Sequence, residues 1–119
     1  MNFNLIQPVR SKLIRSSAQG KTCTFQIVGV CNYNPLTTVL AHLETPKHGG
    51  VNTKASDINA AYCCSACHDL IDMRDARWEE HAEHFEYYKR RAINRTLHML
   101  LHQGILEIPD DKNRPFYDC

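Results

Sequence analysis

Apolar residues in the second half of the chain recur at intervals of about three and four residues, as they do on one buried face of a helix. The pattern predicts one long helix over residues 75–103, and Gly104 directly after it is a typical helix stop. The apolar face comprises Trp78, Ala82, Phe85, Tyr88, Ala92, Leu97, Leu100 and Leu101. We interpret this stripe as core packing.

The first half of the chain alternates short apolar runs with turn-forming residues. Residues 9–19 are expected to form a short basic helix, with Leu13 as its apolar anchor and Gly20 as its stop. The segment "CTFQIVGVC", residues 23–31, combines β-branched and aromatic residues with Gly29. This combination is typical of a short strand or a hairpin turn.

A second extended run, "VLA" at residues 39–41, predicts a strand that carries His42 at its end. Residues 45–57 are dense in turn-forming residues and predict a loop. At the end of this loop, Asp57 or Ser56 is expected to cap a short element that leads into a cysteine cluster. Short strands and separate helices together predict an α+β domain.

The size and composition of the chain indicate one folded domain. With 119 residues, of which 43% are hydrophobic, it is long enough for one modest core and too short for two ordinary domains. We expect a single domain over residues 1–119, with its core at about 10–78 and a peripheral tail at 105–119.

The N-terminal residues indicate a cytoplasmic, non-membrane protein. Polar residues and a proline interrupt the first apolar stretch, so it resembles neither a signal peptide nor a membrane span. In a reducing cytoplasm, clustered cysteines bind metal or do redox work more often than they form disulfides.

Four cysteines form two pairs that suit one zinc ion. Cys64 and Cys67 make a C-x-x-C pair, and Cys23 and Cys31 stand at the two ends of the predicted turn element. Four thiolates complete a closed tetrahedral shell, which is the structural type of zinc site. Such a site would stabilise a small core, because the free energy of zinc binding becomes free energy of folding.

Other uses of these residues remain open. Buried free thiols are one alternative, and a redox C-x-x-C is another, although no βαβ pattern surrounds the motif. His68, which directly follows Cys67, would replace one cysteine in a three-cysteine site. We interpret Cys63 as a small core residue and leave Cys119 out of the site.

The order of these residues resembles the zinc-containing branch of the HNH endonucleases, which have the ββα-metal fold. The segments "VLAHLE", "KHGGVNTKASDINAAY" and "CCSACH" follow the pattern of that branch. The runs "VCNYNPLTTVLAH" and "CSACHDLID" are most similar to the YbcO-like nucleases of prophages. The resemblance covers about residues 10–78 and implies a zinc-stapled ββα-metal domain flanked by the basic N-terminal helix and the long C-terminal helix.

The resemblance also implies roles for three residues. His42 would be the general base that deprotonates water for attack on a phosphodiester, and Asn59 would orient that base or its loop. His68 would bind a catalytic Mg²⁺ or Mn²⁺ ion, which stabilises negative charge on the phosphate. Taken alone, His42 also fits a hydrogen-bonded structural histidine, and Asp57 at the same turn is the alternative to Asn59.

One position departs from the family pattern. Many HNH enzymes have a metal ligand immediately before the base, whereas this chain has Ala41. The catalytic ion would then lack one protein ligand unless another residue approaches it. The candidates are Asp57, Asp69, Asp72 and His48.

The net charge of the chain is only +1, but its basic residues are distributed unevenly along the sequence. Residues 1–22 contain basic residues and no acidic one, and a second basic cluster lies within the predicted long helix. We expect DNA to be bound through its phosphates, with an affinity that falls steeply as salt rises. The expected contacts are Arg10, Lys12, Arg15, Lys21, Lys47 and Lys54.

The sequence therefore predicts a divalent-metal-dependent DNA endonuclease with a structural zinc. Two rival functions remain open. One is a zinc-stabilised module that binds nucleic acid or protein without catalysis, which Ala41 favours. The other is a structural dimer built on the long helix with Tyr87 and Tyr88 at its interface, so monomer and homodimer both remain possible.

Overall fold

The structure is a computed structural model that describes residues 7–43 and 55–109. In these residues the chain combines helices with one two-stranded sheet, as the α+β prediction requires. None of the described helices has the length and apolar character that crossing a membrane requires. The elements are α1 (Lys12–Ser17), β1 (Val39–His42), β2 (Ala60–Cys63), α2 (Ser65–Ile71), α3 (Trp78–His81) and α4 (Phe85–His102), with 3₁₀ turns at Pro35–Thr37 and Ala82–His84.

Helix α1 begins at a serine cap. The Ser11 side chain accepts a hydrogen bond from the backbone N–H of Ile14, and Gly20 follows the helix with a φ of +74°. The expectation that Leu13 anchors this helix is wrong, because Leu13 is 61% exposed while Ile14 and Ala18 are buried. The cap sets the start of the helix, and this start turns Ile14 and Ala18, four residues apart, toward the core.

The segment between Cys23 and Cys31 forms a turn and not a strand. Ile27 accepts hydrogen bonds from the backbone N–H groups of Val30 and Cys31, and Gly29 has a φ of +76°. Thr24 bonds to β2, with its N–H 2.8 Å from the carbonyl oxygen of Tyr62. The turn brings Cys23 and Cys31 close together, which a continuing strand would not do.

Strands β1 and β2 form an antiparallel hairpin whose two faces pack against different cores. Their register pairs Val39 with Cys63, Leu40 with Tyr62, Ala41 with Ala61 and His42 with Ala60. Since side chains alternate between faces, His42 shares one face with Tyr62. The opposite face packs into the larger core, which also contains Cys67 and Leu70 of α2.

Helix α4 is joined to β2 through a buried threonine. Thr96 Oγ1 accepts the backbone N–H of Tyr62 at 3.0 Å and lies 3.2 Å from the hydroxyl of Thr24. Leu100 of α4 packs with Ile14, Ala18 and Tyr62 in the second, smaller core. α1, the hairpin and the C-terminal half of α4 therefore meet on the same side of the sheet as His42.

The helix predicted over residues 75–103 is divided into α3, the 3₁₀ turn Ala82–His84 and α4. Ala82, placed on the buried face by its spacing, is exposed. Glu79 and Glu83 are four residues apart, and like charges at this spacing weaken an α-helix. Most of the predicted 45–57 loop, the end of the tail, His48 and Cys119 lie outside the described residues.

Candidate functional site

The four cysteines predicted to bind zinc come together in one cluster. The sulfur atoms of Cys23, Cys31, Cys64 and Cys67 all lie within 4.8 Å of one another. Three of these cysteines are buried, and Cys31 is partly exposed. The turn after Cys23 supplies two sulfurs and the start of α2 supplies the other two.

The geometry of this cluster fits a zinc ion. Sulfur atoms at ~2.3 Å from a tetrahedral zinc lie ~3.8 Å from one another, and Cys64 Sγ lies 3.8 Å from Cys31 Sγ. Cys64 Sγ also accepts a hydrogen bond from the N–H of Cys67, which caps α2. The described cysteines are all free thiols, so no disulfide competes for these sulfurs.

Without a cation, burial and mutual repulsion oppose the ionisation of Cys31 and Cys67. Burial raises the pKa of Cys31 to about 11, while a hydrogen bond to Cys23 and burial raise the pKa of Cys67. Hydrogen bonds from Cys63 and Cys67 lower the pKa of Cys23. Four thiolates at this distance repel one another unless a cation offsets their charge.

Cys63 and His68 lie outside the four-sulfur cluster. Cys63 is fully buried in the larger core, as the sequence predicted. The side chain of His68 points to a different partner, with its Nε2 3.1 Å from an oxygen of Asp72. The four-cysteine site therefore fits the structure better than the alternative with three cysteines and His68.

A second site forms around His42 at the end of β1. His42 Nε2 lies 2.7 Å from Oδ1 of Asp57, whose side chain is fully buried, whereas the His42 side chain is 29% exposed. The other Asp57 oxygen accepts a hydrogen bond from the backbone N–H of Ser11 at 2.6 Å. The imidazole is thus held from inside the protein while part of its ring faces the surface.

Two arginines complete the surroundings of Asp57. Arg15 Nη1 donates to Asp57 Oδ2 at 2.7 Å, and Arg10 Nη1 lies 3.7 Å from Oδ1. Burial raises the pKa of Asp57, but hydrogen bonds from His42, Ser11 and Arg15 outweigh it and hold the pKa below its usual range. Asp57 is therefore an ionised carboxylate at neutral pH.

We expect Asp57→Asn to lower the free energy of unfolding at pH 7 by about 2–3 kcal/mol. Breaking a buried ion pair costs about 3–5 kcal/mol, and we take a smaller value because Arg10 and Arg15 are more than one third exposed. Folding lowers the pKa of Asp57, so the ionised carboxylate contributes to the free energy of unfolding above pH ~4. This contribution is lost as the pH falls through the pKa that Asp57 has in the folded protein.

Urea unfolding of the wild type and the variant at several pH values measures this difference. Asp69→Asn is the matched control, because Asp69 is 53% exposed and pairs with Arg74 at the surface. The role given to Asp57 would be contradicted if both variants lost the same free energy of unfolding. It would also be contradicted if the difference between the wild type and Asp57→Asn persisted unchanged below pH 3.

The other candidate catalytic residues are placed differently. Asn59 extends the hairpin through its backbone, because its carbonyl oxygen accepts a hydrogen bond from the N–H of Leu43. The residue is partly exposed. It is Asp57, the alternative to Asn59, that contacts the histidine. Ala41 is 2% exposed and packs in the larger core, on the hairpin face opposite His42.

The predicted phosphate contacts fall into three groups. Arg10 and Arg15 form ion pairs with Asp57, so both arginines also stabilise the His42 site. Lys12 in α1 is exposed, and Lys21, which follows that helix in the chain, is partly exposed. The remaining predicted contacts, Lys47 and Lys54, lie outside the described residues.

Comparison with known proteins gives a consistent result. A family model described as "Putative nuclease YbcO" matches residues 12–105. A protein described as "Putative nuclease YbcO" from Escherichia coli strain K12 is 39% identical over 97 residues, which cover 79% of this chain and 96% of that protein. A protein of the same description from Enterobacteria phage 82 matches with the same values.

One solved structure also resembles this chain. It is described as a putative bacteriophage protein from Escherichia coli strain K-12 substrain MG1655. The match has a TM-score of 0.57 and 37% sequence identity, and it covers 77% of this chain and all of that one.

Proposed function

The chain belongs to the YbcO family, whose described members are putative nucleases, and we propose that it is a divalent-metal-dependent DNA endonuclease with a structural zinc. In this proposal β1, β2 and α2 form a ββα-metal unit of the HNH type within a single domain. The observation that carries the proposal is the partly exposed imidazole of His42, held by a buried, ionised Asp57.

The hydrogen bond to Asp57 determines which nitrogen of His42 is basic. An ionised carboxylate only accepts hydrogen bonds, so His42 Nε2 must carry the proton. The lone pair then remains on Nδ1, where it accepts a proton from the attacking water. Asp57 orients the ring and stabilises the imidazolium that forms, as the aspartate of a serine protease triad does for its histidine.

The proposed site for the catalytic ion is the surface of α2. His68 Nε2 and Asp72 Oδ2 are 3.1 Å apart, and both side chains are partly exposed. One nitrogen and one carboxylate oxygen fit Mg²⁺ or Mn²⁺, since Mg²⁺ keeps several waters and takes few protein ligands. A divalent ion there would supply stabilisation of negative charge on the phosphate. Ala41 offers no ligand, so Asp72 is the candidate to complete the site.

We expect His68→Ala and Asp72→Asn each to raise the Mn²⁺ concentration for half-maximal cleavage by about tenfold or more, because each removes one of two ligands. Cleavage rates measured against Mn²⁺ concentration give this value. His81→Ala is the control, because this histidine also lies on a short helix but outside the proposed ligand set. An unchanged Mn²⁺ requirement in both variants would remove His68 and Asp72 from the proposal.

Purified wild-type protein incubated with supercoiled plasmid and Mg²⁺ or Mn²⁺ tests the function. The proposal requires nicked circles with either ion and none without added divalent ion. The rival, a zinc-stabilised binding module, is favoured by the apolar, buried Ala41. It would shift DNA in a gel and leave the plasmid intact, and that result would replace the nuclease proposal.

A further inference from the structure

A groove runs between the C-terminal half of α4 and residues 21–26. It consists of two cavities of about 390 Å³ and about 330 Å³. Both cavities are lined by His98 and Met99, so they adjoin one another along the helix. None of the residues predicted to do chemistry at His42 lies in this groove, and of the predicted DNA contacts only Lys21 does.

The lining of the groove combines apolar surface with a few side chains that suit an anion. Lys21 and Arg95 supply positive charge, and the exposed side chains of Thr22 and Asn94 have groups that can donate hydrogen bonds to a ligand. Arg95 uses one N–H group on the carbonyl oxygen of Thr24, out of the five that a guanidinium carries. Among the described residues that line the two cavities there is no aspartate or glutamate.

Helix α1 connects this groove to the His42 site. At its N-terminal end the N–H of Ser11 bonds to Asp57, the partner of His42. At its C-terminal end Ser17 Oγ lies 2.7 Å from the hydroxyl of Tyr62, which also accepts a hydrogen bond from Gln103 Nε2 at 3.1 Å. Gln103 lines the groove, so the groove begins where α1 ends.

Tyr62 is the buried residue that joins the groove to the His42 site. His42 and Tyr62 are diagonal neighbours on one hairpin face, which places their Cβ atoms less than ~8 Å apart. Helix α4 from Asn94 to Gln103 is ~13–14 Å long at ~1.5 Å per residue. This length leaves room for a short stretch of the backbone of one strand.

We propose that the groove between residues 21–26 and α4 holds the sugar-phosphate backbone of duplex DNA to one side of the cleavage position. The proposal rests on the proposed nuclease function and adds a binding surface to it. DNA that enters the groove would pass the exposed Lys12 side of α1 before it reaches His42.

Fluorescence anisotropy with a labelled DNA duplex and no added divalent ion tests the groove separately from cleavage. Thr22→Glu and Asn94→Glu place a carboxylate in the groove at exposed positions, and each is expected to raise Kd at least tenfold. Lys21→Ala is expected to reduce the slope of log K against log salt by about 0.9, the loss of one phosphate contact. Leu36→Glu is the control, because this 89% exposed residue makes the same charge change on the Pro35–Thr37 turn.

Circular dichroism establishes that each variant is folded before its affinity is compared. An unchanged Kd for Asn94→Glu and Thr22→Glu, or an equal loss with Leu36→Glu, would overturn the groove proposal. Neither result bears on cleavage, whereas absence of nicking by the wild type would overturn the nuclease function even with the groove variants behaving as expected.

Discussion

Replacing His42 with alanine is expected to lower the rate of DNA cleavage by about 10²–10⁴-fold, the usual contribution of a positioned general base. The reason lies in the hydrogen bond between His42 Nε2 and the buried Asp57, which leaves Nδ1 as the basic nitrogen. Because the His42 side chain is partly exposed, its truncation leaves no large cavity in either core.

Single-turnover cleavage at saturating Mn²⁺ measures this loss without a contribution from product release. His84→Ala is the matched control, because His84 also lies beside a carboxylate, Glu83, but is 60% exposed and remote in sequence from the hairpin. Circular dichroism of both variants separates a catalytic loss from unfolding, since His42 is also a partner of Asp57. Full activity of a folded His42→Ala protein would remove the general base from the proposal.

Removing the proposed zinc, or replacing Cys64 with serine, is expected to unfold the domain at 25 °C. Structural zinc binding contributes about 10–16 kcal/mol in small zinc-binding peptides, whereas whole domains are stable by only about 5–15 kcal/mol. Cys23, Cys64 and Cys67 are buried in the larger core, and Cys31 packs against it. Without a cation, the four thiols would stay clustered there with no metal to hold them together.

Circular dichroism during titration with a chelator, together with fluorescence of Trp78, the single tryptophan, follows this transition. Cys63→Ala is the control, because Cys63 is equally buried and lies outside the ligand cluster. Zinc must displace protons from thiols such as Cys31, whose pKa burial raises to about 11, so zinc affinity is expected to fall as pH falls. A Cys64→Ser protein that keeps its fold and one zinc would contradict the site.

The local parts of the fold could be predicted from the sequence because local signals determine them. Ser11 as a cap, Gly20 and Gly104 as stops and the apolar run before His42 each act within a few residues. The cysteine cluster was also predictable, since its spacing points to one metal site.

Contacts between distant parts of the chain could not be predicted in this way. Asp57 bonds to Ser11 and Arg15, more than 40 positions away, so the sequence favoured Asn59 and left Asp57 only as the alternative for orienting His42. The strand option for residues 23–31 follows from residue propensity, whereas the structure has a turn that brings Cys23 close to Cys31. Thr96 was missed because its role depends on the packing of α4 against β2.

The groove along α4 could not be predicted from the sequence for a different reason. The sequence showed a basic cluster in the predicted helix, but its members are not equivalent in the fold. Arg91 donates to the carbonyl oxygen of Phe25 and lies over the rings of Tyr87 and Tyr88, whereas Arg95 lines the groove. Which of these arginines lines the groove depends only on how α4 is rotated about its axis relative to residues 21–26.

The most direct measurement of the central claim is a nicking assay on supercoiled plasmid with wild-type and His42→Ala proteins of equal zinc content, established by mass spectrometry. We expect one zinc per chain in both proteins, nicking by the wild type with Mg²⁺ or Mn²⁺, and a loss of about 10²-fold or more in the variant. One zinc per chain with no nicking by the wild type, or with equal nicking by both proteins, would contradict the claim that His42 makes this zinc-stabilised domain a nuclease.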